Sequence, residues 1–275
     1  MVLRQVATGT GRVPAYGRGV LLVVEHFWLW YRRNWRATVV SSVLQPLLFL
    51  LAFGVGFGSL VEGTGGVARA TGGIDYLVWL APALLAVSAV QSAAFESTYP
   101  VLGGFKWKRI YHAMAGTSLT PGQIAVGQVG WVTAKMTGTG AVYVAVIAVF
   151  GGVASPGIVV SLLAAVLTGA AVAVLVTAFS ATVENEGTAF SVIFRFVVLP
   201  MTLFSGTFFP VDRLPEVVRS VAWVSPLWHG TELARMAALD LWRPLAAGGH
   251  VAYLAALLAV GLVLVTRNFE RRLAR

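Results

Sequence analysis

Residues 37–61 carry no charged side chain, and five more long apolar runs follow at 76–104, 123–150, 158–183, 188–209 and 245–266. A helix needs about 20 apolar residues to cross about 30 Å of hydrocarbon, and each run is long enough. Soluble domains carry about 25% charged residues. Here 11% are charged and 57% are hydrophobic, too little charge to solvate a chain of this length. In lipid every backbone N–H and C=O needs an internal partner, which a helix supplies. The pattern predicts an all-α polytopic membrane protein with six transmembrane helices.

The net charge is +9 at pH 7. The basic residues sit in short clusters between apolar runs, not along one face, so this is not the footprint of a nucleic-acid partner. Six crossings put both termini on one side. That side collects six arginines before residue 37, Lys106, Lys108 and Arg109 in the second loop, and four arginines in residues 267–275. The opposite side holds Arg69, no charge in residues 151–157, and four arginines matched by Asp212, Glu216, Glu232 and Asp240. Basic loops stay in the cytoplasm. Both termini are therefore expected on the cytoplasmic side of the inner membrane.

Residues 1–19 read as a flexible cytoplasmic arm without a signal-peptide pattern. Residues 20–36 are amphipathic, aromatic and basic, and too short before their charges to span. They read as a helix lying on the membrane, with Trp28, Trp30, Arg32, Arg33 and Arg36 as anchors in the headgroup layer. An extension of the first span is the alternative. The six-span domain covers residues 37–267, and residues 268–275 form a cytoplasmic tail. In the last loop, residues 214–224 and 227–239 each place apolar side chains at helical spacing, with Pro226 between them. They predict a re-entrant or interfacial helix pair before the last span.

The chain has no cysteine, no H-E-x-x-H and no G-x-S-x-G. The glycine run at residues 53–58 has no strand before it and no Lys-Ser/Thr after it, so it is not a phosphate loop. Small residues there suit close helix approach. His26, His112, His229 and His250 are scattered, with none at metal-ligand spacing. No catalytic residue, metal or bound cofactor is expected on this chain.

Three charges interrupt the apolar runs: Glu96, Lys135 and Arg195. Such residues face protein or water and pair with one another. Glu96 and Arg195 each lie about eight residues, roughly 12 Å, from the cytoplasmic end of their run. Lys135 lies deeper, on a stem long enough to snorkel. Glu96 is expected to neutralise Arg195 or Lys135; a proton relay or headgroup site is the functional alternative. The second-loop segment "FKWKRIYH" mixes Phe105, Trp107, Ile110 and Tyr111 with Lys106, Lys108 and Arg109. Such an element can anchor on headgroups or dock in a partner's groove. Both readings stay open on the residues alone.

Four segments in order, "QPLLFLLAFGVGFG", "YLVWLAPALLAVSAVQSAAFESTY", "GFKWKRIYHAMAGTSLTPGQIAVGQ" and "FSGTFFPVDRLP" followed by "PLWH", resemble ABC type-2 permeases. The branch is that of lipooligosaccharide or nodulation-factor exporter permeases, with drug-resistance permeases related. The likeness runs from about residue 27 to the end. It implies a homodimer of permeases with two copies of a separate ABC ATPase, which would bind the ATP and magnesium. It implies that residues 105–111 form the coupling element seated on that ATPase. It implies export of an amphiphile, a lipid-linked saccharide or a hydrophobic drug, with no bond-making residue on the permease. The extended residues 1–19 depart from shorter members of the family.

Two other readings are weaker. An ion-coupled secondary transporter needs a midplane ion site on broken helices, and only Pro46 and Pro200 point that way. An intramembrane lipid-modifying enzyme needs clustered His, Asp or Glu near one interface, which the sequence lacks. The orientation has a direct check: positions 106 and 109 should resist labelling by an impermeant reagent from outside intact cells. Labelling there would invert the map.

Overall fold

The computed structural model describes residues 13–49, 73–184 and 188–274, with the backbone alone for 34–47 and 49. The second half of the expected first span, its glycine run and Arg69 lie outside the described residues. The described residues are helical and contain no β-strand. Among the described residues, four helices are long and apolar enough to cross a membrane.

Helix α1, Tyr16–Phe49, runs 34 residues without a break, about 51 Å at 1.5 Å per residue. The aromatic, basic segment and the start of the charge-free run are thus one rod. No glycine or proline lies between Val20 and Gln45 to divide it. The rod also begins before residue 20, because its first turn is held. Gln123 Nε2 donates to the Pro14 carbonyl at 3.2 Å, and Tyr16 O–H to the Gly122 carbonyl at 3.4 Å.

Helix α2, Tyr76–Ser97, starts at Asp75, whose carboxylate accepts from the Leu77 and Val78 amides. This satisfies two of the four donors that a helix start leaves open. It is the core helix: Leu80, Leu85 and Val90 are fully buried. A kink at Thr98 leads into α3, Tyr99–Lys106, with Pro100 in its first turn. A short α4, Ile110–Ala115, follows. Helix α5, Pro121–Val149, opens on a reciprocal box in which Thr120 and Gln123 cap each other. Helix α6 is Ile158–Ser180.

The expected fifth span, residues 188–209, is shorter, a continuous helical run over Ala189–Phe204 with a π turn inside it. It comprises α7, Ala189–Ile193, a π-helical turn Phe194–Val198, and α8, Leu199–Phe204. Within that turn the Leu199 amide reaches back five residues to the Phe194 carbonyl. Pro200 has no N–H to give, so the α ladder slips just before it. Next come α9, Glu216–Val224, and α10, Pro226–Ala238. Pro226 at the start of α10 separates the two, as the pattern predicted. The last helix, α11, Pro244–Leu273, runs on through the residues expected to be a tail.

Helix α6 packs against α2, α5, α10 and α11. Its small residues let backbones close in. Ser161 O–H donates to the Ala234 carbonyl of α10 at 2.6 Å. A Cβ on Gly230 of α10 would sit 2.0 Å from Thr168 Oγ1. On α5, a Cβ on Gly127 would sit 2.5 Å from Val23 Cβ of α1. Where lipid is as apolar as the side chains, such close approach is what holds helices together. Gly230→Ala should therefore destabilise the protein by about 1–3 kcal/mol through overpacking. Adding Thr168→Ala should return part of that loss, as read by thermal unfolding in detergent.

Candidate functional site

At one end of the bundle the chain turns a sharp corner. Helix α3 ends at Lys106, and the Trp107 and Lys108 amides both donate back to the Gly103 carbonyl, at 3.2 and 2.9 Å. Arg109 then takes a left-handed conformation, φ +48°, before α4 begins. That conformation is uncommon for a residue with a side chain. It splits the expected amphipathic element into a helix–turn–helix.

The corner's aromatic side chains therefore point two ways. Phe105 and Tyr111 are 2% and 1% exposed and point inward. With Phe269 of α11 they form a three-ring wedge, centroids 4.6, 4.8 and 5.2 Å apart. Gly104 permits this, since a Cβ there would lie 2.4 Å from the Tyr111 ring. Lys106, Trp107, Lys108 and Arg109 are exposed, and Ile110 is half-buried. The seven residues read as one docking face are thus a buried foundation and an exposed basic rim. Burial, with Arg109 and Arg272 nearby, holds His112 below its ordinary pKa. It adds no positive charge to the rim at neutral pH.

Two ties anchor the corner. The Arg272 guanidinium lies 4.3 Å over the Phe105 ring, and its Nη1 donates to the Ser180 and Ala181 carbonyls, both at 3.0 Å. A cation on the open carbonyls of a helix end is favoured by the helix dipole. Asn268 Nδ2 donates to the Ala178 carbonyl at 2.9 Å. Arg272 was legible only as one arginine of a basic tail; its spacing three residues after Phe269 puts both on one helix face. On the other side, Lys108 Nζ lies 5.3 Å from the Trp30 ring of α1.

Deeper in, Glu96 and Lys135 meet. Lys135 Nζ is 2.5 Å from Glu96 Oε1. Lys135 also lies 5.7 Å from the Tyr31 ring, which packs on Trp28 and Trp131. The aromatic anchor of α1 thus lines the ion pair. Arg195 stays apart: it is exposed on the π turn, and no ion pair to it is present among the described residues. Glu96 has taken the lysine rather than the arginine. Arg32 and Arg33 are exposed, and the Arg36 side chain lies outside the described residues.

Two further features escaped the sequence. Arg235, counted among the charges of a polar loop, is 6% exposed. Its guanidinium lies 3.5 Å from the Trp79 ring and donates to the Thr207 carbonyl at 2.9 Å and the Trp79 carbonyl at 3.3 Å. Glu232 is 3.7 Å away. The second feature is a histidine pair: His229 of α10 and His250 of α11 meet at 2.7 Å between their Nδ1 atoms. Their 21-residue separation spans a turn, which no local pattern reveals. Among the described residues no group of three or more His, Cys, Asp or Glu is placed to hold a metal ion.

An ion pair whose ammonium is little exposed and whose carboxylate is half-buried should be costly to halve. Glu96→Gln and Lys135→Met should each destabilise by about 2 kcal/mol, and the double variant by less than the sum. Additive losses in thermal unfolding would mean that the two side chains do not act as a pair.

The ABC-2 type transporter family matches residues 19–239 of the chain. Nodulation protein J of Rhizobium leguminosarum bv. viciae is 31% identical over 273 residues, covering 97% of this chain and 100% of the relative. Nodulation protein J of Sinorhizobium fredii is 32% identical over 239 residues, covering 82% and 85%. That of Rhizobium meliloti is 29% identical over 267 residues, covering 95% and 96%.

Proposed function

The chain belongs to the ABC-2 type transporter family, and on that premise we propose that it is the membrane subunit of an ATP-driven exporter. It works as two copies with two copies of a separate ATPase, which carries the nucleotide and magnesium. Six spans cross the inner membrane with both termini in the cytoplasm. The charge asymmetry supports this orientation, with Lys106, Lys108 and Arg109 on the basic side. The cargo is an amphiphile. The resemblance to lipooligosaccharide and nodulation-factor exporters favours a lipid-linked saccharide.

The observation that carries the reading is the corner at residues 105–111. A short exposed element of Lys106, Trp107, Lys108 and Arg109 stands on a buried wedge of Phe105, Tyr111 and Phe269. Exposed cations and one large exposed aromatic suit a groove on a partner. The rigid base converts a push on the rim into movement of the helices beneath. Arg272 joins that base to the end of α6, and Lys108 joins the rim to α1. ATP-driven closure of the partner's dimer would press the two corners together. The exposed apolar side chains of the π-interrupted fifth segment, Phe196, Val197 and Leu199 among them, face the second copy or the cargo path between copies.

The partner is sought as the soluble ATPase encoded beside this chain, co-expressed and captured with it. Trp107→Ala combined with Lys108→Glu should cut the captured ATPase by about tenfold, equivalent to about 1.4 kcal/mol, without lowering the thermal stability of the permease. Full capture and unchanged ATPase stimulation by this double variant would sink the proposal.

A further inference from the structure

The histidine pair joins the last helix to the outer helix pair, at the end of the bundle away from the corner. Its hydrogen atoms can be placed by elimination. His229 Nε2 is 3.0 Å from the Trp223 carbonyl, and a carbonyl only accepts. The hydrogen is therefore on Nε2 of His229. A neutral His229 then offers its Nδ1 lone pair, and the hydrogen in the 2.7 Å bond comes from His250 Nδ1. The rings are well seated. Tyr253 stacks on His229 at 3.9 Å and 18°, its O–H donates to the Val224 carbonyl, and Trp228 lies edge-on to His250 at 5.0 Å.

This arrangement counts protons. One extra proton leaves the Nδ1–Nδ1 bond intact. Either His250 gains it on Nε2 and goes on donating, or His229 gains it and His250 accepts with its hydrogen moved to Nε2. Two extra protons put a hydrogen on both facing atoms, so the bond must break and two cations face each other. We propose that His229 and His250 form a proton-binding clasp that holds α10 on α11 while it carries at most one extra proton, and that releases the α9–α10 turn when it carries two.

The surroundings supply little compensation. On α10, Glu232 faces Arg235 at 3.7 Å. On α9, Arg219 lies over Trp223. On α11 the ionisable neighbour is Tyr253, and Asp240 and Arg243 lie in the turn between α10 and α11. Helix α6, packed on both, has no ionisable side chain. Burial first, then the neighbouring His250, hold His229 down to about 4, against the pull of the Trp223 carbonyl. A lowered histidine contributes stability that is complete above about 6.5 and is lost as pH falls towards 4. The clasp does not depend on the transport reading. Only the statement that it faces the outside rests on the orientation proposed above.

The test uses the full chain in lipid nanodiscs with ring-15N histidine. The chain has four histidines, so each signal can be assigned from one His→Gln variant. At pH 7.5 His229 should be the Nε2–H tautomer and His250 the Nδ1–H tautomer. The pair should titrate in two separated steps, the second near pH 4. Amide exchange over residues 219–230, corrected for its intrinsic pH dependence, should rise at least about fivefold across that second step.

In His250→Gln the amide can flip from donor to acceptor and takes up no proton itself, so the doubly protonated state that breaks the contact cannot form. The His229 midpoint should rise, and the acid-induced exchange should disappear. Two independent single titrations near 6.5 in the wild-type chain would overturn the proposal. So would an acid-induced exchange that persists unchanged in His250→Gln. The wild-type spectrum decides even if the variant misfolds.

Discussion

Helices in hydrocarbon gain little by hiding apolar surface from one another, so the bundle rests on how closely their backbones can approach. Helix α6 shows this most clearly. It has no charged residue and no proline, and its own Ser161 and Thr168 side chains reach the main chain of α10, at the Ala234 carbonyl and at Gly230. Helices α2, α5, α10 and α11 are arranged around that rod, and α1 packs on α5. Helix α10 is fixed the same way, with the Gly157 backbone set against the Ala237 carbonyl. Side-chain volume at these contacts, more than apolarity, decides which neighbours α6 can have.

Charges are then placed where that packing leaves room to neutralise them. Glu96 and Lys135 meet beside the aromatic face of α1. Arg235 spreads its charge over the Trp79 ring and two carbonyls. Arg272 uses the carbonyl end of α6 as its counter-charge. Three cations find three kinds of partner, and in each case the partner ties together elements distant in sequence. The ionic contacts therefore act chiefly as fasteners between helices, since desolvation offsets much of their attraction.

Much of the architecture was legible in the residues, because hydropathy and proline position are local properties. The second, third and fourth apolar runs became α2–α3, α5 and α6 with ends within a few residues, and Pro226 divided the outer pair. What could not be read was which partner a polar residue meets. Glu96 had two cations at its disposal, and only packing of α2 on α5 chose Lys135. Phe105 and Tyr111 belong to an amphipathic string, but a left-handed Arg109 turned them inward. His229 and His250 look isolated until a turn folds α10 back on α11. The matched family speaks to fold and class of work, and leaves these pairings to the coordinates.

Helix α6 is fastened at both extremities: Arg272 grips its last carbonyls beside the aromatic wedge, and the Ala237 backbone abuts its first turn at Gly157. Its 23 residues span about 35 Å with no proline hinge to absorb bending. If the corner is where the proposed partner pushes, that load would reach the far end as axial thrust, the way a pushrod transmits a stroke. In the proposed exporter, the two ends of the bundle would then move as one part, with release at one end keyed to the partner's nucleotide cycle at the other.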